Sequence, residues 1–434
     1  MKKDEFKFRI SKELKDLLES KSKNASMNSS EFLRQLILSS QINIKATNKK
    51  DLKELIWNIN KIGDIMHNPA HSVVHLTIRK DKINLAVGTG VLYLRDNQTY
   101  IVTAWHNISG RHTETLDLLS KKAAIPNNIV VSLDLEMKQE NISFGYSKIS
   151  ITVPLIENEQ TTYYIHKQGY PKVDVVAIPI DLNKPYQMGF REMSGEEKVT
   201  SMVLKQKAEL NNSLETNIIH TQDCEFKIKE INDYSNSLYV SDDIFIIGYP
   251  KGITDYTMQP IWKRATIATA PHMGWEQQEQ FLVDCASKEG MSGAPAIYYN
   301  RDGKINTGNI YYKGSNPISI LHGIYVGRIG STSELEAQIG KVWKRKVIDE
   351  IIDDKILDFL PDELILLKSD IEQAIIEKWP KENDNYASML LNDKASYKYY
   401  FLNSVMKNIN GRANKDEVLN IILEFAQKKL DKNS

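Results

Sequence analysis

Hydrophobic and polar positions divide the chain into three stretches with different periods. From residue 1 to about 66 apolar residues recur every three or four positions, after one alternating run in which Phe6, Phe8 and Ile10 interleave with Lys7 and Arg9. That run predicts a short strand with one apolar and one basic face. The spacing that follows predicts two helices. Ser11 caps the first, with Leu14, Leu17 and Leu18 inward, and Asn28 with Glu31 forms a capping-box pattern before Phe32, Leu33, Leu36 and Ile37. From about 71 to 335 the pattern becomes short runs rich in Val, Ile, Thr and Tyr, such as Ser72–Ile78, Ala86–Leu94, Thr99–Ala104, Val173–Ile180, Asp243–Gly248 and Ile318–Val326. Strands at that density predict barrels or sandwiches, and the stretch is long enough for two barrels. Beyond about 338 the helical period returns in Ile348, Ile351 and Ile352 and in Val418, Ile421, Ile422 and Phe425, with breaks at Trp379-Pro380 and near Gly411. A small helical bundle or cap is expected there, with the aromatics Tyr397, Tyr399, Tyr400 and Phe401 in its core.

Composition narrows the class. The 434 residues carry 56 Lys+Arg against 56 Asp+Glu and are 41% hydrophobic, a globular balance that excludes disordered and fibrous chains. No apolar run approaches the ~20 residues of a membrane helix. The first residues contain no h-region, so a cytoplasmic protein without membrane association is expected. Cys224 and Cys285 are the two cysteines and read as small core residues. Charge is uneven: residues 1–50 hold twelve Lys/Arg and six Asp/Glu, while residues 347–370 hold two Lys and eight Asp/Glu. A basic head can meet phosphate, although such a face is more often simply solvated. His67, His71 and His75 fall four apart, but Pro69 interrupts any helix and Val73-Val74 reads as strand, so no metal is expected. No phosphate-cradling glycine motif opens a helix, and no cofactor is expected.

Three segments of the middle region carry chemistry. Ile101-Val102-Thr103-Ala104-Trp105-His106 reads as a strand ending in a histidine, Asp174 opens the apolar strand Val175–Ile180, and Gly290-Met291-Ser292-Gly293-Ala294-Pro295 is a glycine-flanked serine. A hydroxyl is a poor nucleophile near neutral pH and needs a base, and the base needs a third group to hold its tautomer. Glycines beside the serine let the N–H groups of Gly290 and Ser292 turn inward as an oxyanion hole. Asp134, between Leu133 and Leu135, competes with Asp174 for the third role.

These segments resemble the trypsin/chymotrypsin-fold serine proteases, especially bacterial intracellular branches: Thr103-Ala104-Trp105-His106 is similar to their histidine segment and Gly290–Pro295 to their nucleophile segment. Gly88-Thr89-Gly90, Gly248-Tyr249-Pro250 and Gly323–Gly327 fall where the family has supporting motifs. The resemblance implies a multidomain α+β chain whose all-β double barrel, 71–337, is flanked by an N-terminal module and a C-terminal helical domain, 338–434. It implies His106 as general base, Asp174 as orienter, Ser292 as nucleophile, and a cleft between the barrels. Extra loops at Lys121–Asn128 and Glu192–Thr216 would account for the long gaps between these residues. Ala286, six before the serine, would floor the primary pocket and favour an apolar or small side chain, with Val326 and Gly327 also lining substrate. Met291 replaces the acid that zymogens use to capture a new N-terminus, so activation by N-terminal cleavage is not expected.

Residues 1–45 resemble the ribbon-helix-helix family of small DNA-binding dimers, through the alternating strand and Ser29-Ser30-Glu31-Phe32-Leu33-Arg34. The resemblance implies a homodimer, with Lys7 and Arg9 as DNA-contacting residues and 46–70 as a helical linker. The expected function is a serine endopeptidase acting on protein or peptide substrates, restrained or activated by a partner. The rival is a non-catalytic DNA- or peptide-binding regulator on a protease fold.

Overall fold

The structure is a computed structural model that describes residues 68–433, apart from 121–123, 140–141, 169–172, 192–196, 205–206, 209–213, 226–237, 255–257, 307–310, 314–316, 330–337, 362–364, 381–384, 393–395 and 410–411. The expectations for the head, including Lys7 and Arg9, lie outside the described residues.

The architecture is multidomain α+β around two β bodies. The first is a twelve-stranded antiparallel sheet in which Val73–Lys80 lies between Ile83–Arg95 and Asn128–Gln139. On its other side Ile83–Arg95 pairs with Gln98–Thr103, which pairs with Val176–Ile180. Alternation along these strands separates two apolar faces. Val74, Leu76, Ile78, Ile101 and Ile129 build the sheet's own core. Val73, Val91, Tyr93 and Val102 face the second body and pack with Ile247, Tyr249, Leu321 and Ile324. The second body is a closed barrel of Asp243–Gly248, Ile261–Ile267, Gln280–Asp284, Ile339–Lys344, Ile318–Arg328 and Ala294–Asn300. Ile244, Ile246, Phe281, Val283, Met291 and Tyr325 fill it.

Several boundaries differ from the sequence reading. Ile339–Lys344, expected in the helical tail, is a strand that closes the barrel between Gln280–Asp284 and Ile318–Arg328. The helix Arg345–Asp354 also belongs to the β bodies, because Val347, Ile348, Ile351 and Ile352 are buried in the core between them. Four such side chains are worth ~1.5–3 kcal/mol each, enough to hold a ten-residue helix that would be marginal alone. Glu192–Thr216, expected as a loop, contains strands instead: Glu197–Val203 pairs with Pro185–Arg191, and Leu214–Ile218 pairs with Asn128–Gln139. The tail packs Lys368–Lys378, Tyr386–Asn392, Ser396–Asn408 and Lys415–Asn433 around Ile375, Leu390, Phe401, Leu402, Val405 and Ile422. Trp379, at the expected break, stands edge-on to Tyr386, Phe401 and Phe425. Tyr397, Tyr399 and Tyr400, expected in that core, are exposed. Among the described residues no helix is long and apolar enough to cross a membrane.

Candidate active site

His106 does not end a strand. The strand stops at Thr103, Ala104 is extended, and His106 lies in the five-residue helix Trp105–Ser109, closed by Gly110 in the left-handed region. Asp174 lies two residues ahead of the strand Val176–Ile180, and Val176 pairs with Thr103. This pairing brings the carboxylate to the first turn of the helix. His106 Nδ1 is 2.7 Å from Asp174 Oδ2, and the His106 backbone N–H donates to Oδ1 at 2.9 Å. Both carboxylate oxygens are thus committed to one residue, which fixes the ring and leaves Nε2 as its other polar atom. Burial alone would depress the imidazole pKa, but the Asp174 charge and hydrogen bond outweigh it and raise the value above 6.5, while Lys341 opposes them.

Asp134, the competing acid, is taken up elsewhere. It pairs with His71 Nδ1 and Lys148 Nζ, each at 2.7 Å, and accepts from Gln259. Burial pushes its carboxyl up, but these partners overcome that and hold it below the usual carboxylate range. His71 is thereby hydrogen-bonded to Asp134 and stacked on Tyr146, and His75 stands edge-on to Tyr249.

Ser292 reaches the histidine helix through backbone and amide bonds that cross between the β bodies. Its carbonyl accepts from the Thr89 N–H at 3.0 Å and from Asn107 Nδ2 at 2.9 Å, and Asn107 is the neighbour of His106. Thr89 Oγ1 donates to the Gly290 carbonyl at 2.7 Å and accepts from the Tyr249 N–H. The approach is tight enough to demand glycine. A Cβ on Gly293, whose φ is +89°, would lie 2.0 Å from the Thr89 carbonyl oxygen. Among the described residues neither the Gly290 nor the Ser292 N–H has a protein acceptor, whereas the Met291, Gly293 and Ala294 N–H groups are bonded to Lys288, Tyr325 and Met291. Two free N–H groups flanking a serine can receive a developing oxyanion. Met291 itself is buried in the barrel core.

Val326 lies at a bulge, since Tyr325 pairs with Val342 and Gly327 with Lys341. Its carbonyl accepts from Ser292 Oγ at 3.2 Å, and among the described residues no hydrogen bond joins that hydroxyl to His106. Gly327 has φ +140° and open space where a Cβ would be, and Val326, through its carbonyl, lies beside the serine. Ala286, the expected pocket floor, has an exposed side chain, and its carbonyl accepts from the Lys263 ammonium. The sequence reading missed Tyr325, whose carbonyl accepts from the Gly293 N–H next to the serine and whose ring packs in the barrel core. Tyr325 is 1% exposed, its hydroxyl shares a hydrogen bond with Ser287 Oγ, and its ring lies so close over Gly340 that a Cβ there would be 2.2 Å from Cε2. Burial pushes its phenol up to about 12, against the Ser287 bond.

A family model described as NikA-like, mobilization protein NikA, matches residues 2–68. No curated protein matches the chain. Among solved structures it is similar to the protease Rv3671c from M. tuberculosis, at 13% identity and TM-score 0.29 over 66% of this chain and 87% of that one. It is also similar to a serine endoprotease from Yersinia pestis (14%, 0.32, over 66% and 64%) and to protease Anisep from Arthrobacter nicotinovorans (13%, 0.33, over 67% and 97%).

Proposed function

We propose that the chain is a serine endopeptidase whose triad is His106, Asp174 and Ser292. The observation that carries this reading is the seam Thr89–Asn107–Ser292, which anchors the serine loop to the helix on which Asp174 holds His106. For attack, Ser292 Oγ leaves the Val326 carbonyl and gives its proton to His106 Nε2 as the O–C bond to the substrate carbonyl forms. Asp174 keeps the Nδ1 proton in place and stabilises the imidazolium. The oxyanion is received by the Gly290 and Ser292 N–H groups. Collapse expels the amine, which takes the proton from His106, and water then repeats the sequence to free the acid and restore the serine. Wild-type protein should be labelled at Ser292 by a fluorophosphonate, and Ser292→Ala should neither label nor cleave casein. Labelling that persists in the alanine variant would end this reading.

One observation favours the rival, a regulator that binds peptides without cleaving them: the Ser292 hydroxyl rests on Val326 and not on His106. A folded wild type inert to the fluorophosphonate at all pH values would select it.

We assign residues 1–45 to a ribbon-helix-helix dimerisation module, 46–70 to a linker, and the tail helices to a separate bundle. The NikA-like match over residues 2–68 supports the first of these. A lone unit of that size has too small a core to stand alone, so pairing of the Phe6–Ile10 strands makes the protein a dimer. Lys7 and Arg9 on both chains then face DNA. Full-length protein should sediment as a dimer, and Lys7→Ala with Arg9→Ala should flatten the salt dependence of DNA binding, whose log–log slope is about −0.9 per phosphate. A monomer at micromolar concentration would refute the module.

A further inference from the structure

We infer that Asp358, in the strap joining the β bodies to the tail bundle, is a positioning residue for His106; this rests on the hydrolase reading above. A five-residue helix has almost no stability of its own, so side chains must set how Trp105–Ser109 sits. Asp174 holds it at His106 and Asn107 ties it to the serine loop. On its inner side Trp105 is fully buried, and a buried indole N–H requires an acceptor. That acceptor is Asp358 Oδ2, at 2.6 Å and 253 residues away in the chain.

The strap fixes Asp358 in turn. Ile356–Leu357 adds an edge strand to Tyr164–Ile165. The Asp358 carbonyl accepts from Thr161 Oγ1 at 2.7 Å, and its carboxylate also accepts from the Phe359 N–H at 3.0 Å and from the Tyr163 hydroxyl at 3.3 Å. Phe359 packs on the core of the sheet and carries the Arg412 guanidinium 4.0 Å above its ring. Arg412 belongs to the bundle, where its carbonyl accepts from the Leu366 N–H. A small cavity lined by Ser109, Tyr163, Asp358 and Phe359 lies at the far end of the helix, beside the buried Ile108, and the Trp105–Asp358 bond braces the helix at its start. The tail bundle therefore reaches the base through Arg412, Phe359, Asp358 and Trp105.

The test compares full-length Asp358→Ala, Asp358→Asn and Trp105→Phe with wild type, reading the His106 imidazole titration by NMR, the fluorophosphonate labelling rate and the melting temperature. Asp358→Ala should bring the His106 pKa down toward 6.5 as its bond to Asp174 loosens, and should slow labelling by about tenfold or more. Asp358→Asn lacks the charge but keeps an acceptor for the indole, and should restore both. Trp105→Phe keeps an aromatic ring but loses the indole donor together with some buried volume, so it should repeat the alanine result even if Asp358→Ala fails to fold. Asp358→Asn, which leaves the indole in place, separates the bond from the packing. Unchanged titration and labelling in Trp105→Phe, or an asparagine variant as defective as alanine, would overturn the proposal. A titration shift in protein that never labels would uphold the positioning role and refute the hydrolase reading.

Discussion

Asn107 donates through Nδ2 to the carbonyl of Ser292 at 2.9 Å, a bond spanning 185 residues that joins the serine loop to the neighbour of His106. The same nitrogen donates to Thr103 Oγ1 at 3.1 Å. Asn107→Ala should cost about 1–2 kcal/mol in unfolding free energy and slow labelling of Ser292. Asn107→Asp keeps the shape but sets a carboxylate against two oxygens, so it should be worse than alanine in both denaturant titration and labelling.

His106 must be neutral to accept the serine proton, and its pKa is raised above 6.5. Activity should therefore appear as pH rises through a value above 6.5, measured as the acid limb of kcat/KM. Asp174→Asn should move that limb to lower pH and reduce the rate by about 10⁴, and Lys341→Ala should move it higher by removing an opposing cation. The sign for folding is opposite: the pair's stabilisation is complete below pH 6.5 and is lost as pH rises through the folded-state value.

Tyr325 is buried in the barrel core beside the serine loop, with its hydroxyl on Ser287 and its carbonyl accepting from the Gly293 N–H; on the proposed reading its ring limits the side chain accepted on the acyl side of the cut. A peptide library should show cleavage after Gly, Ala or Ser. Tyr325→Val should admit larger apolar residues at a stability cost of about 2–4 kcal/mol. Tyr325→Phe keeps the volume and should keep the preference. Wild-type cleavage after Leu, Phe or Lys would refute the assignment.

Two glycines with positive φ should respond differently to alanine. Gly293→Ala meets the Thr89 carbonyl at 2.0 Å and Thr103 Oγ1 at 2.2 Å, so the seam cannot close, labelling should vanish and the barrel should lose on the order of 3 kcal/mol or more. Gly327→Ala meets nothing within 4 Å and should cost only its backbone strain, about 1–3 kcal/mol by thermal melts.

Much of this was readable from local pattern. Asp243–Gly248 is a strand over the residues that its run of Ile and Phe marks, and the glycine-flanked serine does lie on a loop. What escaped depends on distant contacts. Thr103-Ala104-Trp105-His106 looks like one β run because each residue is compatible with extended backbone. Helix begins at Trp105 because Asp358 and Asp174 hold it there, from 253 and 68 residues away. Ile339–Lys344 does not alternate cleanly, since Val342 and Trp343 are adjacent and Lys341 and Lys344 fall three apart as in a helix, and it becomes a strand because two barrel edges await it. Counting back from the serine reaches Ala286, whereas the bond between the Tyr325 hydroxyl and Ser287 joins residues 38 apart in the chain and leaves no local signal.

Translation order gives the two-sided attachment of the serine loop a further meaning. Thr89 and Gly290 are 201 residues apart, and the barrel that fixes Gly290 lacks its last strand until Lys344 has been made. Synthesis at roughly 5–20 residues per second puts on the order of ten seconds or more between the appearance of His106 and closure of that barrel. The ribosome thus releases His106 and Asp174 early and the assembled site late, so on the proposed reading the growing chain and its neighbours would not meet a working peptidase. A product terminated before Ile339 carries His106, Asp174 and Ser292 but no closed barrel to hold them, and on the proposed reading it should not react with a fluorophosphonate.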